Sequence, residues 1–234
     1  MMEDRWALRG AVLDAWAVLM PTECSGCGRA DRALCAACAA ALHAAPSQAR
    51  RGTLTVWSAL DYTDVVGRVL VAYKDGGRTD AAPALARALG AAVAAALAAA
   101  GPGRSGIVLV TVPSSRRAWR ARGFHPVDLL LARAGLRSVR LLRPRRLVRV
   151  ADQVGLGRDQ RILNRGGTLI ATGPLEGRVI LLVDDIVTTG ATLLEARRAL
   201  LAAGADVLGA ATVAETRRHL PDNTRAPQTD WQNL

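Results

Sequence analysis

The run Val179-Ile180-Leu181-Leu182-Val183-Asp184-Asp185-Ile186-Val187-Thr188-Thr189-Gly190-Ala191-Thr192 constrains this chain more than any other part of it. Five apolar residues predict a strand buried on both faces. Two adjacent carboxylates follow, then a short Thr/Gly loop. Residues 193–201 have helical spacing. N–H groups at a helix start are unpaired and carry partial positive charge, so they attract an anion. Thr188, Thr189 and Thr192 add hydroxyl donors, and Gly190 lets the backbone come close. The carboxylates cannot hold an anion; they suit ribose hydroxyls or a magnesium ion. The pattern therefore reads as a cradle for a phosphorylated ligand. A Walker B strand also ends in Asp-Asp, but no G-x-x-x-x-G-K-[ST] loop occurs in the sequence. An ordinary buried strand with a polar turn has no need of Asp-Asp before Thr-Thr-Gly.

Strands alternating with helices from about residue 53 predict an α/β fold, a mostly parallel sheet flanked by helices. Residues 53–62 and 107–112 read as strands, 65–74 as a helix ending at Gly76-Gly77, and 81–100 as an Ala-rich helix. Residues 113–124 read as a basic loop, followed by a helix to about Ala134. Short strands are expected at 139–142 and 147–150, a loop at 151–157, a short helix at 158–164 and a last strand at 206–216. The chain of 234 residues divides into an N-terminal helix and Cys module (1–50), the α/β domain (51–216) and a polar tail (217–234). Residues 44–53 read as the linker between the first two. In such sheets ligands sit beyond the carboxyl ends of the strands, which places Val112-Pro113 and Val183-Asp184 at the site.

The N-terminus opens Met-Met-Glu-Asp-Arg, and Trp6, Val12, Leu13, Trp16, Leu19 and Met20 recur at helical spacing. This predicts an amphipathic helix over 3–20, stopped by Pro21, rather than a signal peptide. In the Ala-rich helix, Leu85, Leu89, Val93 and Leu97 form one stripe and Arg87 interrupts the run. It reads as a core helix, not a membrane span. The expectation is a soluble, cytoplasmic protein without membrane insertion.

The formal net charge of +11 is concentrated: residues 116–149 hold eleven Arg and a single acid, Asp128. Such a block favours polyanions, among them pyrophosphate, nucleotides and nucleic acid; the alternative is a solvated basic surface. Lys74 is the only Lys among 31 basic residues. A compact ammonium on a flexible stem is one reason for it to stand where Arg does not.

All four cysteines lie in Cys24-x2-Cys27-x7-Cys35-x2-Cys38. Two C-x2-C knuckles this close match a four-thiolate zinc site, which leaves no open position and so reads as structural. Two disulfides or an iron–sulfur centre are the other readings; a reducing compartment disfavours the first. Gly26 and Gly28 permit the tight first knuckle.

Two further segments join these. In Val112-Pro113-Ser114-Ser115-Arg116-Arg117, a strand end leads through small hydroxyl residues to Arg, a suitable set for pyrophosphate. Arg122-Gly123-Phe124 follows, then His125, which reads either as a helix-start residue or as a general base. The second segment, from Asp152 to Asn164, is polar and carries Gln153, Arg161 and Asn164.

The segment 179–192 resembles the phosphoribosyl diphosphate (PRPP) motif of the type I phosphoribosyltransferases. With the four-Cys knuckle, Tyr73-Lys74, the Val-Pro strand end, Arg-Gly-Phe and the Gln…Arg…Asn segment, about residues 15–216 resemble the ComF family of phosphoribosyltransferase-like proteins. The resemblance implies PRPP with Mg2+ as ligand, and Asp184 and Asp185 as catalytic residues on the ribose hydroxyls. It implies Thr188, Thr189, Gly190, Ala191 and Thr192 on the 5′-phosphate, and Ser114, Ser115, Arg116 and Lys74 on pyrophosphate. Gln153, Arg161 and Asn164 resemble a flexible loop that closes over PRPP. The family link is to DNA uptake in competent bacteria, which implies single-stranded DNA and uptake proteins as partners; a non-catalytic nucleic-acid-binding role is the alternative. Where the family commonly has Arg-Gly-Phe-Asn-Gln, this chain has His125-Pro126.

Overall fold

The computed structural model describes residues 23–30, 33–101, 103–114, 116–145 and 167–216. In chain order the elements are α1 (Ala36–Ala41), β1 (Ser47–Arg51), β2 (Leu54–Asp61), α2 (Asp64–Lys74), a 3-10 turn (Thr79–Ala81), α3 (Ala82–Ala100), β3 (Val108–Thr111), α4 (Arg116–Arg122), α5 (Pro126–Arg133), β4 (Ser138–Val139), β5 (Leu142–Pro144), β6 (Leu169–Ala171), β7 (Val179–Val187), α6 (Ala191–Leu201) and β8 (Asp206–Glu215).

Six strands form one sheet in the order β1-β2-β8-β7-β3-β4. Only β1 runs antiparallel to its neighbour; β2, β8, β7, β3 and β4 are mutually parallel. The α/β class with a mostly parallel sheet flanked by helices is thus the observed fold. The continuous apolar run of β7 is explained by its central place. Leu181 and Val183 face one layer, with Ala211, Val213 and helices α2, α3 and α5; Ile180 and Leu182 face the other, with Val110, Ala210 and α6. Helix α3 is long and apolar enough to cross a membrane, but Leu85, Leu89, Ala92 and Val93 are buried in the first layer. Many of its core positions are Ala, which lets it lie close to the sheet. A small antiparallel pair, β5 with β6, covers the other layer near α6.

The structure corrects several sequence expectations. Residues 44–53 are not a linker: β1 pairs with β2 from Ser47↔Ser58 to Arg51↔Leu54. Its half-buried, half-exposed alternation suits an edge strand, and its polarity hid it from an apolar pattern. Residues 113–124 are not all loop. Arg, Ala and Trp form α4, which ends where Gly123 takes φ 75° and donates its N–H to the Trp119 carbonyl at 2.8 Å. The run 139–142 is split between β4 and β5, which belong to different sheets. Strand β6 carries no pattern of its own and was not anticipated. The N-terminal helix at 3–20, the strand at 147–150, the loop and helix at 151–164 and the tail lie outside the described residues.

Candidate functional site

Strand β7 is longer than its sequence pattern implies. Its pairing with β8 continues past the apolar run, through Asp184↔Thr212 and Ile186↔Ala214 to Val187↔Glu215. On the other side β3 stops at Thr111↔Val183. The carboxyl end of the strand is therefore Val187, not Val183. Asp184 and Asp185 lie within the strand, just beyond the end of β3, so no β3 residue pairs with them.

The two carboxylates are not equivalent. Asp185 is buried, and Lys74 at the end of α2 places Nζ 2.5 Å from its Oδ2. Its Oδ1 accepts the N–H of Ile186 at 2.9 Å. Asp184 is half-buried, and its Oδ1 accepts the Asp185 N–H at 2.9 Å. Burial, and then the charge of Asp185, push Asp184 up to about 8. Beside Lys74, Tyr73 is fully buried; its hydroxyl donates to the Pro126 carbonyl at 2.7 Å and its ring lies 5.9 Å from that of Phe124. Burial raises the Tyr73 phenol, so it stays a neutral donor. Tyr73 thus ties the helix that carries Lys74 to the start of α5.

After β7 the chain turns through exposed Thr188 and Thr189 to Gly190, the N-cap of α6, at φ 79° and ψ 2°. Glycine is required there both for its left-handed backbone and because a Cβ would come within 2.7 Å of the Arg51 Cβ. Thr189 Oγ1 accepts the Ala191 N–H at 3.3 Å, and Thr192 is exposed on the first turn. Ala191 and Thr192 share a cavity with Val112, Pro113, Thr168, Leu169 and Glu195. The ends of β3 and the start of α6 therefore face one another. Glu195 is buried; it accepts the Leu169 N–H at 2.9 Å and is held by Arg198 at 2.7 Å, which clamps β6 over that cavity.

Ser114 lines a second, smaller cavity with Pro113, His125, Asp128 and Arg140. Asp128 accepts from Thr111 at 3.0 Å, Ser138 at 2.9 Å and Arg140 at 2.8 Å. Burial raises its carboxyl, but these donors outweigh it and leave Asp128 below the usual carboxylate range. His125 is the N-cap of α5 without a capping side-chain bond, its ring 6.4 Å from exposed Trp119. The backbone of Arg116 begins α4. Ser115, Gln153, Arg161 and Asn164 lie outside the described residues.

The Sγ atoms of Cys24, Cys27, Cys35 and Cys38 all lie within 4.8 Å of one another, with Cys27 and Cys35 at 3.7 Å. A tetrahedral ion with metal–sulfur bonds of about 2.3 Å sets its sulfurs roughly 3.8 Å apart, so the cluster fits a metal ion. Cys35 is the N-cap of α1 and gives its N–H to Cys24 Sγ at 3.3 Å. Burial pushes Cys24 up, but N–H groups of Cys35, Gly26 and Cys27 outweigh it and bring the thiol to about 6. Burial and the neighbouring sulfurs push Cys38 up to about 12. A side chain at Gly26 would meet Cys38 Sγ at 2.6 Å, so the knuckle requires glycine there.

Residues 150–233 match the family described as the phosphoribosyl transferase domain. The matched segment holds β6, β7, α6 and β8. No curated protein matches the chain. Solved structures similar to it include an adenine phosphoribosyltransferase at 17% identity and TM-score 0.37, covering 76% of this chain and 89% of that one. The adenine phosphoribosyltransferase of Saccharomyces cerevisiae has 17% identity and TM-score 0.35, covering 77% and 89%. That of Leishmania tarentolae has 11% identity and TM-score 0.36, covering 72% and 94%.

Sequence reasoning missed Arg51, Glu195 and the full role of Asp128. Asp128 carried a signal, as the lone acid in a basic block. Arg51 carried none, because its strand read as a linker.

Proposed function

We propose that the protein binds Mg-PRPP and transfers its phosphoribosyl group to an acceptor. The observation that carries this reading is the Asp184–Asp185 pair where β7 runs past β3, followed by the left-handed Gly190 turn and the start of α6, inside the segment that matches the phosphoribosyl transferase domain. Asp184 and Asp185 would accept the ribose hydroxyls. The N–H groups and hydroxyls of residues 188–192 would take the 5′-phosphate. Ser114, Ser115 and Arg116 would take pyrophosphate, and Lys74, already at the carboxylates, is the nearest ammonium to share between them and the leaving group. Gln153, Arg161 and Asn164 would close over the ligand.

In transfer, the bond from ribose C1 to the pyrophosphate oxygen breaks and its electron pair leaves with pyrophosphate. The acceptor forms the new bond at C1 and loses a proton. Positive charge develops on the sugar while the leaving group gains negative charge, so donors aimed at pyrophosphate lower the barrier. Mg2+ would arrive with PRPP and neutralise pyrophosphate, and the hard oxygens of Asp184 and Asp185 are of the kind it takes. Cys24, Cys27, Cys35 and Cys38 would hold a structural Zn2+, which suits the reducing cytoplasm proposed for the chain. The place in DNA uptake rests on the family resemblance alone.

A second reading, single-stranded nucleic-acid binding, is favoured by Trp119, 47% exposed on the Arg-rich α4. Affinity for single-stranded DNA that falls steeply with salt would support it; a flat response rejects it.

Calorimetric titration with Mg-PRPP tests the main reading. Replacing Asp184 and Asp185 together by Asn removes two charged acceptors, at about 1.5–3 kcal/mol each, so affinity should fall roughly 100-fold or more. No binding by the wild type, or equal binding by the double variant, overturns it.

A further inference from the structure

We propose that Arg51, on the edge strand, is a positioning residue that latches the loop 188–190 into its anion-accepting shape. The inference rests on the phosphate-binding reading of that loop. Arg51 comes from β1, outside the segment 150–233. Its Nε donates to the Thr188 carbonyl at 3.2 Å. One terminal nitrogen donates to Glu215 Oε2 at 2.9 Å and to the Thr216 carbonyl at 3.3 Å, and the other donates to the Arg50 carbonyl at 3.3 Å. Glu215 is buried and also takes the Ser47 hydroxyl at 3.2 Å. The guanidinium thus joins β1, the end of β8 and the loop after β7. Its stem lies where a Cβ at Gly190 would stand.

The grip on Thr188 has a directional consequence. The Thr188 carbonyl and the Thr189 N–H belong to one planar trans peptide and point opposite ways. Holding the carbonyl toward Arg51 turns the Thr189 N–H away from it, to the opposite side of the loop. A guanidinium spent on carbonyls and a carboxylate acts by orienting donors rather than by meeting the anion itself. Lysine could keep the charge and the stem over Gly190 but could not reach three elements at once.

Amide hydrogen exchange of the ligand-free protein reads the latch directly. Arg51→Ala and Arg51→Lys are both expected to exchange Ala191 and Thr216, whose N–H groups are bonded to Thr189 Oγ1 and the Val187 carbonyl, at least tenfold faster than the wild type, with mid-strand β8 amides unchanged. Both should weaken ribose 5-phosphate about tenfold in calorimetric titration and leave free pyrophosphate binding unchanged. Arg51→Lys serves if Arg51→Ala does not fold. Unchanged loop exchange in the folded variants overturns the latch. Faster exchange with unchanged ribose 5-phosphate affinity, or an equal loss for pyrophosphate, overturns its positioning role. If the wild type binds neither ribose 5-phosphate nor PRPP while loop exchange rises, the proposed function fails and the latch stands.

Discussion

The cysteine cluster and the Asp184–Asp185 pair pose the same electrostatic problem and meet it differently. Each crowds groups that repel when ionised. At the carboxylates the chain brings its own cation, Lys74, 2.5 Å from Asp185. At the thiols the groups split instead: Cys24 falls to about 6 and Cys38 rises to about 12. Four thiolates at that spacing become compatible only around a divalent cation from outside. Cys24, Cys35 and Cys38 are buried and Cys27 is exposed, while Asp184 is half-buried. The four sulfurs could hold a metal ion, whereas Asp185 is already paired with Lys74. The two regions also share a helix. Arg68 Nε donates to the Gly26 carbonyl, Val65 packs on the cysteines, and the same helix α2 ends in Lys74. Arg78 adds a bond to the Glu23 carbonyl at 2.8 Å.

The largest effect should come from taking the outside cation away. Chelation, or Cys35→Ser, is expected to remove one metal ion per chain, read by elemental analysis. Four-thiolate sites contribute folding energy outright. A loss of several kcal/mol would lower the melting temperature by roughly 10 °C, at the 2–4 °C per kcal/mol of a chain this size. Because α2 carries both ends, Mg-PRPP affinity should also fall, by about tenfold. Melting and affinity unchanged by metal loss would break the comparison, since the ion would then contribute nothing to the fold.

The same contrast explains what was legible in the sequence. A thiol cluster announces itself by residue type and spacing, because few side chains bind metal and the knuckle is local. The strand, acids, loop and helix of 179–201 were equally local, and so could be read. What escaped depends on pairing at a distance. Residues 184–187 look like a loop until Thr212 and Ala214 are seen beside them. Arg51 looks like linker until β1 pairs with β2 and brings it to Thr188, 137 positions away. β6 is three residues long and owes its place to Glu195 and Arg198. Helix α4 was hidden by charge: a run of Arg reads as solvated loop, although Arg is a good helix former.

Removing the inside cation should cost less than removing the outside one. Lys74→Met leaves Asp185 beside Asp184 without its ammonium. Lys74 is 34% exposed, so solvent screens the pair, and about 1–2 kcal/mol of stability is expected to go, read by urea unfolding. Mg-PRPP affinity should fall about tenfold with the metal content untouched. Lys74→Arg should not restore it, because a planar fork cannot take the place of a compact ammonium beside a buried carboxylate. Full recovery by Arg would show that only charge matters there.

The smallest effect is in pH, and it is read at Asp184. Its carboxyl is raised to about 8 in the folded chain, from an ordinary value near 4 when unfolded. Between those values the folded state holds a proton that the unfolded state has lost. The stability it contributes is full below about pH 4 and is lost as pH rises through about 8. Solvent reaches the half-buried group, so the change is on the order of 1 kcal/mol. Urea midpoints should fall between pH 5 and pH 8.5 more in the wild type than in Asp184→Asn, and the difference between the two proteins isolates this carboxyl from the thiols. A ligand that bonds the ionised form must expel the proton. Mg-PRPP titrations at pH 7 in buffers of different ionisation enthalpy should therefore show proton release in the wild type and less in Asp184→Asn. Equal release by both would place the proton elsewhere than on Asp184.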